Sequence, residues 1–229
     1  MKLLSIDTAT EQCSAAISIH GQGAATWSRV VATARAHADL ILPMVDELLA
    51  ESKLALADLD GLAFGRGPGS FTGVRIAVSV VQGLAFACNR SVVGVSDLAA
   101  VARQAALKYH LPPGAQILVC MDARMHEVYW AQYSVLANGW VILVGVEQVA
   151  APDRVQTDSR IIQVGAGTGW KAYPELRNKY GSATIDDTLL PRALEIGELA
   201  WDEFKNGRVI TAAEAQPVYL RDQVVTIGR

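Results

Sequence analysis

A chain of 229 residues with 51% hydrophobic and 19% charged residues buries roughly 70 to 75% of its unfolded surface on folding, which excludes a disordered regulator and removes the need for disulfide staples. Mean hydropathy is +0.23, and the most apolar stretch, Ile76 to Cys88, is preceded by Arg75, followed by Asn89-Arg90 and shorter than the ~20 residues of a bilayer span. No membrane segment is therefore expected. Twenty Lys and Arg against 23 Asp and Glu give a net charge of −3, so no global positive field draws in a phosphate backbone and a stand-alone nucleic-acid binder is disfavoured.

Met1 to Asp7 places a carboxylate where a signal peptide would continue its apolar region, which predicts a cytoplasmic protein. Leu3–Asp7 reads as a strand, followed by a second over Cys13–Ile19; Gly21-Gln22-Gly23 then turns the chain into a third, Ala24–Val31. This β-meander begins with an aspartate at the end of its first strand. His37, Leu40, Ile41, Met44, Val45, Leu48 and Leu49 form an apolar stripe at helical spacing, with Pro43 near the first turns. Short strands are expected at Gly61–Phe64 and Ser91–Val95, and Ser96 is placed to cap a helix from Asp97 to about Tyr109. Pro112-Pro113-Gly114 marks a lobe boundary, giving expected domains 1–110 and 111–229, with the last ~20 residues able to pack back on the first lobe.

The same grammar then recurs. Ile117–Asp122 ends in an aspartate, Glu127–Val135 follows, and Asn138-Gly139, the strongest short hairpin signal, leads into Trp140–Val149. Two related βββ-α lobes in tandem are therefore the working expectation. Cys13, Cys88 and Cys120 are odd in number and far apart, which predicts buried thiols rather than a disulfide framework or zinc site. His20, His37, His110 and His126 are equally dispersed, and no protein-only metal site is expected.

Gly65-Arg66-Gly67-Pro68-Gly69-Ser70-Phe71-Thr72-Gly73 joins a strand to a helix, Val74–Ala87. Its backbone amides have two readings: an anion-accepting helix start, or a tight connection whose glycines supply positive φ. The loop lacks the Gly-Lys-Ser/Thr ending of a P-loop, and Ser70 lacks the Gly-x-Ser-x-Gly frame of a nucleophile elbow. The helix behind it has almost no polar face, which suits either a central core helix or one that packs on its own sheet and offers a second side to a partner. Gly165-Ala166-Gly167-Thr168-Gly169, after the strand Ile161–Val164, departs from Gly-x-Gly-x-x-Gly because its third glycine comes one residue early, and Trp170 to Pro174 is a poor helix start. Asp7, Thr8, Thr10, Gly67, Gly69 and Gly167 are the candidate cofactor-binding residues; no catalytic residue is assigned.

Over nearly its whole length the chain resembles the TsaB (YeaZ) family. The resemblance rests on Ile6-Asp7-Thr8-Ala9-Thr10, Ile41-Leu42-Pro43-Met44-Val45, Gly65 through Arg75, Met121-Asp122-Ala123-Arg124-Met125, Glu127-Val128-Tyr129-Trp130-Ala131, Val164 through Trp170, and Pro217-Val218-Tyr219-Leu220-Arg221. It implies an α/β actin-like (ASKHA) fold with RNase H-like mixed sheets. It implies further a non-catalytic subunit that pairs with its paralogue TsaD, which transfers threonylcarbamoyl to the adenosine next to the anticodon, with TsaE as an ATPase partner and TsaC making the adenylate. A homodimer in isolation, tRNA contact only through the complex, and no cofactor beyond ATP or ADP in the complex follow from the same resemblance. Leu40, Ile41, Met44, Val74, Ala77, Val78, Val81, Leu84 and Ala85 are the expected partner interface. The competing reading is an actin-like phosphotransferase or hydrolase, or a protease acting on the partner. In actin-like ATPases a glycine two residues past the aspartate admits phosphate, and here that residue is Ala9.

Overall fold

Among the described residues, ten strands fall into two sheets that repeat one pattern. The computed structural model describes residues 1–33, 35–157, 161–181 and 183–221, and the chain divides into two compact units, residues 1–104 with 190–217 and residues 105–189 with 218–229. In the first unit, β1 (Lys2–Asp7), β2 (Gln12–Ile19) and β3 (Ala25–Ala32) form the meander; α1 (His37–Ser52), β4 (Gly61–Gly65), α2 (Phe71–Cys88), β5 (Val92–Val95) and α3 (Asp97–Lys108) follow. The sheet order is β3-β2-β1-β4-β5, antiparallel through the meander and parallel from β1 to β4 to β5. In the second unit, β6 (Gln116–Asp122), β7 (Val128–Val135), β8 (Val141–Ala150), β9 (Val164–Ala166) and β10 (Thr184–Asp186) adopt the order β10-β9-β6-β7-β8 with the same alternation of antiparallel and parallel pairs. Counted from each lobe's first strand the two orders are identical, which is the duplicated RNase H-like sheet of the actin-like fold.

β1 and β4 are buried along almost their whole length because both faces of the first sheet are covered. On one face α1 and α2 supply Ile41, Leu48, Val74, Ala77 and Val81 against Leu4, Ile6, Leu62 and Phe64. On the other, Ala63, Val93 and Val95 meet Ala100 of α3 and Ile196 and Ala200 of α6 (Ala193–Lys205). The alternation of Leu62, Ala63 and Phe64 between these clusters is the period-two geometry of a strand. Ser96 accepts from the Ala99 amide at 3.3 Å, as expected of the α3 cap. Cys13 and Cys120 are buried, whereas Cys88 is half-buried at the end of α2 and donates to Leu84 O at 3.1 Å.

The expected division at residue 110 is replaced by a discontinuous one, since α6 and the segment to Pro217 belong to the first unit. The cause is a polar seam. Ser5 Oγ donates to Ala193 O at 2.6 Å, Ser14 Oγ accepts the Ala193 amide at 2.9 Å, and a side chain at Gly197 would approach Ser5 Oγ to 2.8 Å. Small hydroxyls on β1 and β2 thus satisfy the first turn of α6 while letting its backbone lie close. Between β9 and β10 the second unit has only α4 (Gly169–Ala172) and α5 (Pro174–Lys179), where the first unit has the long α2. Trp170 is a helical residue after all: it is fully buried and holds α4 in the core of its unit.

Ser14→Ala leaves the Ala193 amide without its acceptor inside the protein and should lower unfolding stability by about 1–3 kcal/mol, read from urea denaturation; a change within error would show that the seam does not hold α6.

Candidate functional site

β1 and β4 are neighbours in parallel register, Ile6 opposite Phe64, so Asp7 and Gly65 emerge together at the carboxyl ends of the strands, where open α/β sheets place their ligands. The Gly65–Gly73 loop does not stand open there. Four of its amides bond within this chain: Arg66 N–H donates to Val95 O at 2.8 Å, Gly67 N–H to Asp97 Oδ2 at 2.6 Å, Ser70 N–H to Ala9 O at 2.7 Å, and Gly73 N–H to Ser70 Oγ at 3.3 Å. The return bond runs from Asp97 N–H to Gly67 O at 3.1 Å. Ser70 is therefore the N-cap of α2, which begins at Phe71 rather than Val74.

Two glycines of the loop are required by close approach of backbone to backbone. A Cβ at Gly73 would collide with Thr8 O, and one at Gly69 would lie 2.5 Å from Ala9 O. Thr8 Oγ1 closes the same contact by donating to Gly73 O at 2.7 Å. Thr8 and Ala9 are thus packed directly on Gly69 and Gly73. Thr10 is a local brace, its Oγ1 accepting from Gln12 N–H at 3.3 Å and its carbonyl lying 2.8 Å from His37 Nε2.

Asp7 and Asp97 are fully buried on either side of Gly65: a Cβ there would collide with Asp97 Oδ1 and lie 2.6 Å from Asp7 Oδ1. Asp7 Oδ1 accepts the Ala9 amide at 3.0 Å. Burial pushes the Asp7 carboxyl up to about 6, offset in part by the Ala9 and Thr8 amides and by its contact with Asp97. Burial, and then the like charge of Asp7, hold Asp97 well above the usual carboxylate range. Among the described residues no group of three or more His, Cys, Asp or Glu is placed to hold a metal ion.

The structure thus brings Asp7, Thr8, Thr10, Gly67 and Gly69 together and leaves Gly167 in the second unit. Gly167 has φ +99°, and its Cβ would lie 2.6 Å from Cys120 O, so this turn is shaped by packing under β6. Sequence reasoning missed Asp97, which reads only as a first-turn acid of α3; its signal lies in the parallel strand order, which carries β5 to the same edge as β1. It missed as well that two distant family motifs meet in the second unit. Arg221 donates to Ala123 O at 3.0 Å and pairs with Glu127, fixing a turn in which Arg124, Met125 and His126 all have positive φ.

The expected interface residues are corrected by burial. Ile41, Met44, Val74, Ala77, Val78, Val81 and Ala85 point into the core of the first unit, because a helix packed on a sheet turns its most continuous apolar stripe inward; Leu40 and Leu84 are half-buried beside them. The outward stripe is a different one: Arg75, Ile76, Ser79, Val80, Gly83 and Phe86, spaced by threes and fours. Phe86 is 84% exposed and Phe71 is 55% exposed with the Arg75 guanidinium 3.3 Å above its ring. Nothing lies within 4 Å of a Cβ built on Gly83. Phe71, Arg75, Ile76 and Val80 line a groove of about 370 Å³ with Ala38 of α1. By length and composition α2 would suffice to cross a membrane, 18 residues with mean hydropathy 1.6, but Gly73, Val74, Ala77, Val78, Val81 and Ala85 build its inner face into the first unit.

Comparison with known proteins places this architecture. The chain is 40% identical over 228 residues to the tRNA threonylcarbamoyladenosine biosynthesis protein TsaB of Escherichia coli, covering 98% of this chain and 96% of that protein. The chain belongs to the TsaB family. TsaB of Haemophilus influenzae is also 40% identical, over 98% of this chain and 95% of its own. The solved structure of YeaZ from Pseudomonas aeruginosa superposes with a TM-score of 0.85 at 43% identity, covering 96% of this chain and 99% of that one. The family model for TsaD, tRNA N6-adenosine threonylcarbamoyltransferase, matches residues 31–180, so this TsaB-family chain shares sequence features with the TsaD model across parts of both units.

Gly73→Ala drives a methyl group into Thr8 O and should cost about 1–3 kcal/mol of stability, measured by thermal unfolding; an unchanged Tm would show that the loop and the β1 turn are not in contact.

Proposed function

We propose that this chain works in tRNA threonylcarbamoyladenosine biosynthesis as a non-catalytic subunit that pairs with and activates TsaD for transfer to the adenosine next to the anticodon in tRNAs reading codons that begin with A. One observation carries the non-catalytic reading: Asp97 accepts the Gly67 amide, Asp7 accepts the Ala9 amide and Ala9 O accepts the Ser70 amide, so groups of this protein itself occupy the corner where an actin-like ATPase is expected to hold phosphate. A carboxylate from α3 takes the place of a bound anion on the Gly67 amide. An actin-like phosphotransferase built on Asp7 would have to dismantle these contacts before binding nucleotide. ATP or ADP, with TsaE, belongs in this proposal to the assembled complex, and the cytoplasm is where it would work.

The outward stripe of α2 supports the partner surface. It carries one charge, Arg75, along 18 residues, and its small residues Ser79 and Gly83 let a second helix approach closely. We assign it to TsaD in the complex and to a second copy of this chain in isolation. Direct tRNA binding by the isolated chain should be slight. Of the separated basic residues, Arg90 donates to Leu59 O and Ala57 O, Arg103 pairs with Glu198 and Lys108 with Asp186, so they serve internal contacts. Recognition of tRNA is assigned to the partner or to the assembled surface.

Gly83→Arg and Ser79→Glu should fold normally, since both positions are exposed and Gly83 loses only a poor helix former, yet each should weaken pairing with TsaD by at least about tenfold, equivalent to about 1.4 kcal/mol, because a charge is buried unpaired at the contact. Isothermal titration calorimetry reads the affinity; wild-type affinity in both variants would remove α2 from the interface. Ala77→Arg places its charge in the core and should unfold the first unit instead.

The isolated chain should show no ATP turnover above the buffer rate, and Asp7→Ala should lower Tm without changing that rate. Hydrolysis abolished by Asp7→Ala in a folded protein would restore the enzyme reading.

A further inference from the structure

We infer that Asp7 and Asp97 hold a single proton between them at neutral pH, and that this proton fastens the Gly65–Gly73 loop to the end of β1. The two side chains are fully buried and converge on the Cα of Gly65 from β1 and α3. Each has one oxygen satisfied by the backbone, Asp7 Oδ1 by the Ala9 amide and Asp97 Oδ2 by the Gly67 amide. The other two oxygens, Asp7 Oδ2 and Asp97 Oδ1, receive no donor among the described residues. Two ionised carboxylates would repel in this dry corner and leave both oxygens bare, at a cost that buried charges do not sustain. A single proton removes the repulsion and turns one carboxyl into a donor for the other, satisfying both orphaned oxygens at once.

The surrounding charges do not supply the missing compensation. Facing Asp7 are His37 from α1, whose Nε2 lies against Thr10 O, and the Cys13 thiol from β2, which burial pushes up to about 11 and which therefore stays neutral; Arg66 from the loop faces Asp97. His37 and Arg66 favour ionisation, as do the Ala9 and Gly67 amides, but desolvation is the larger effect on both carboxyls. Where the proton sits is a property of the pair rather than of either residue.

The consequence is a lock with a defined sign. Both carboxyls bind protons more tightly folded than unfolded, so the stability they lend is full below the unfolded carboxyl value near 4 and is lost as pH rises, through about 6 for Asp7 and through the raised range of Asp97. Once the pair is doubly ionised, repulsion across Gly65 pushes against the contacts of Gly67 with Asp97 and of Ser70 with Ala9 that seat the start of α2. Alkaline pH should therefore loosen the loop and the first turn of α2 before the rest of the unit.

The test uses the full chain, with aspartate 13Cγ shifts followed by NMR from pH 4 to 10 and thermal unfolding over the same range for wild type, Asp97→Asn and Asp7→Asn. Asparagine keeps the backbone hydrogen bond and supplies a permanent donor to the other carboxylate. The expected results are one carboxyl of the pair still protonated at pH 7, a wild-type Tm that falls by about 2–4 °C per pH unit above 6, and a flatter profile for Asp97→Asn. Both carboxyls ionised at pH 7, or parallel Tm profiles in wild type and Asp97→Asn, would overturn the proposal. So would a rise in wild-type Tm with millimolar magnesium chloride that Asp97→Asn lacks, since the orphaned oxygens would then be holding a cation. If neither asparagine variant folds, the wild-type carboxyl shifts decide the matter alone.

Discussion

Backbone pressed on backbone at the carboxyl end of β1 is the contact on which the rest of the first unit depends. Gly73 lies on Thr8 O, Gly69 on Ala9 O, and Gly65 between two buried carboxylates; no residue with a Cβ could take these places without moving a strand or a loop. The contact fixes where α2 begins, and with it which stripe of an almost uncharged helix faces the sheet and which faces outward. It ties β1, β4, β5 and the start of α3 into one corner as well, because Asp97 reaches back to the loop while Ser70 caps α2. This edge of the sheet is packed with the chain's own side chains and amides.

The repeated sheet order shows how one architecture is used in two ways. In the first unit the connection from β4 to β5 is an 18-residue helix with an apolar outer stripe; in the second the connection from β9 to β10 is reduced to two short helices packed around Trp170 and Leu176. Asp122 is the counterpart of Asp7 at the end of β6, but it is partly exposed and binds Arg124 and Tyr173 rather than a second carboxyl. The buried acid pair is thus a feature of the first unit, beside the helix assigned to the partner.

Much of this was legible in the residues. The two meanders, their terminal aspartates and the Asn138-Gly139 turn gave the duplication, since strand periodicity and turn chemistry are local signals. The Gly65–Gly73 segment was identifiable as a special strand-to-helix connection, but its amides' partners were not, because Asp97 comes from a strand crossover 30 residues on. The inner and outer faces of α2 were not separable by pattern: with Val, Ile, Ala, Gly and Phe on every side, hydropathy does not say which stripe a sheet will cover, and the stripe chosen as the interface proved to be the core. α6 escaped notice because its sequence mixes Glu195 and Glu198 among apolar residues; burial of Glu195 is made tolerable by Arg192, and the serines of β1 and β2 that receive the helix are 188 and 179 residues away in sequence.

In the proposed role this chain contributes a surface, and no chemistry of its own, to the modification. Reconstitution of threonylcarbamoyladenosine on tRNA from purified TsaC, TsaD, TsaE and ATP, with and without this protein, tests it most directly. Modification is expected only when the chain is present, undiminished when a mutation at Asp7 leaves the chain folded and still bound to TsaD. Full modification without the chain, or its loss in such a folded and TsaD-bound Asp7 variant, would contradict it.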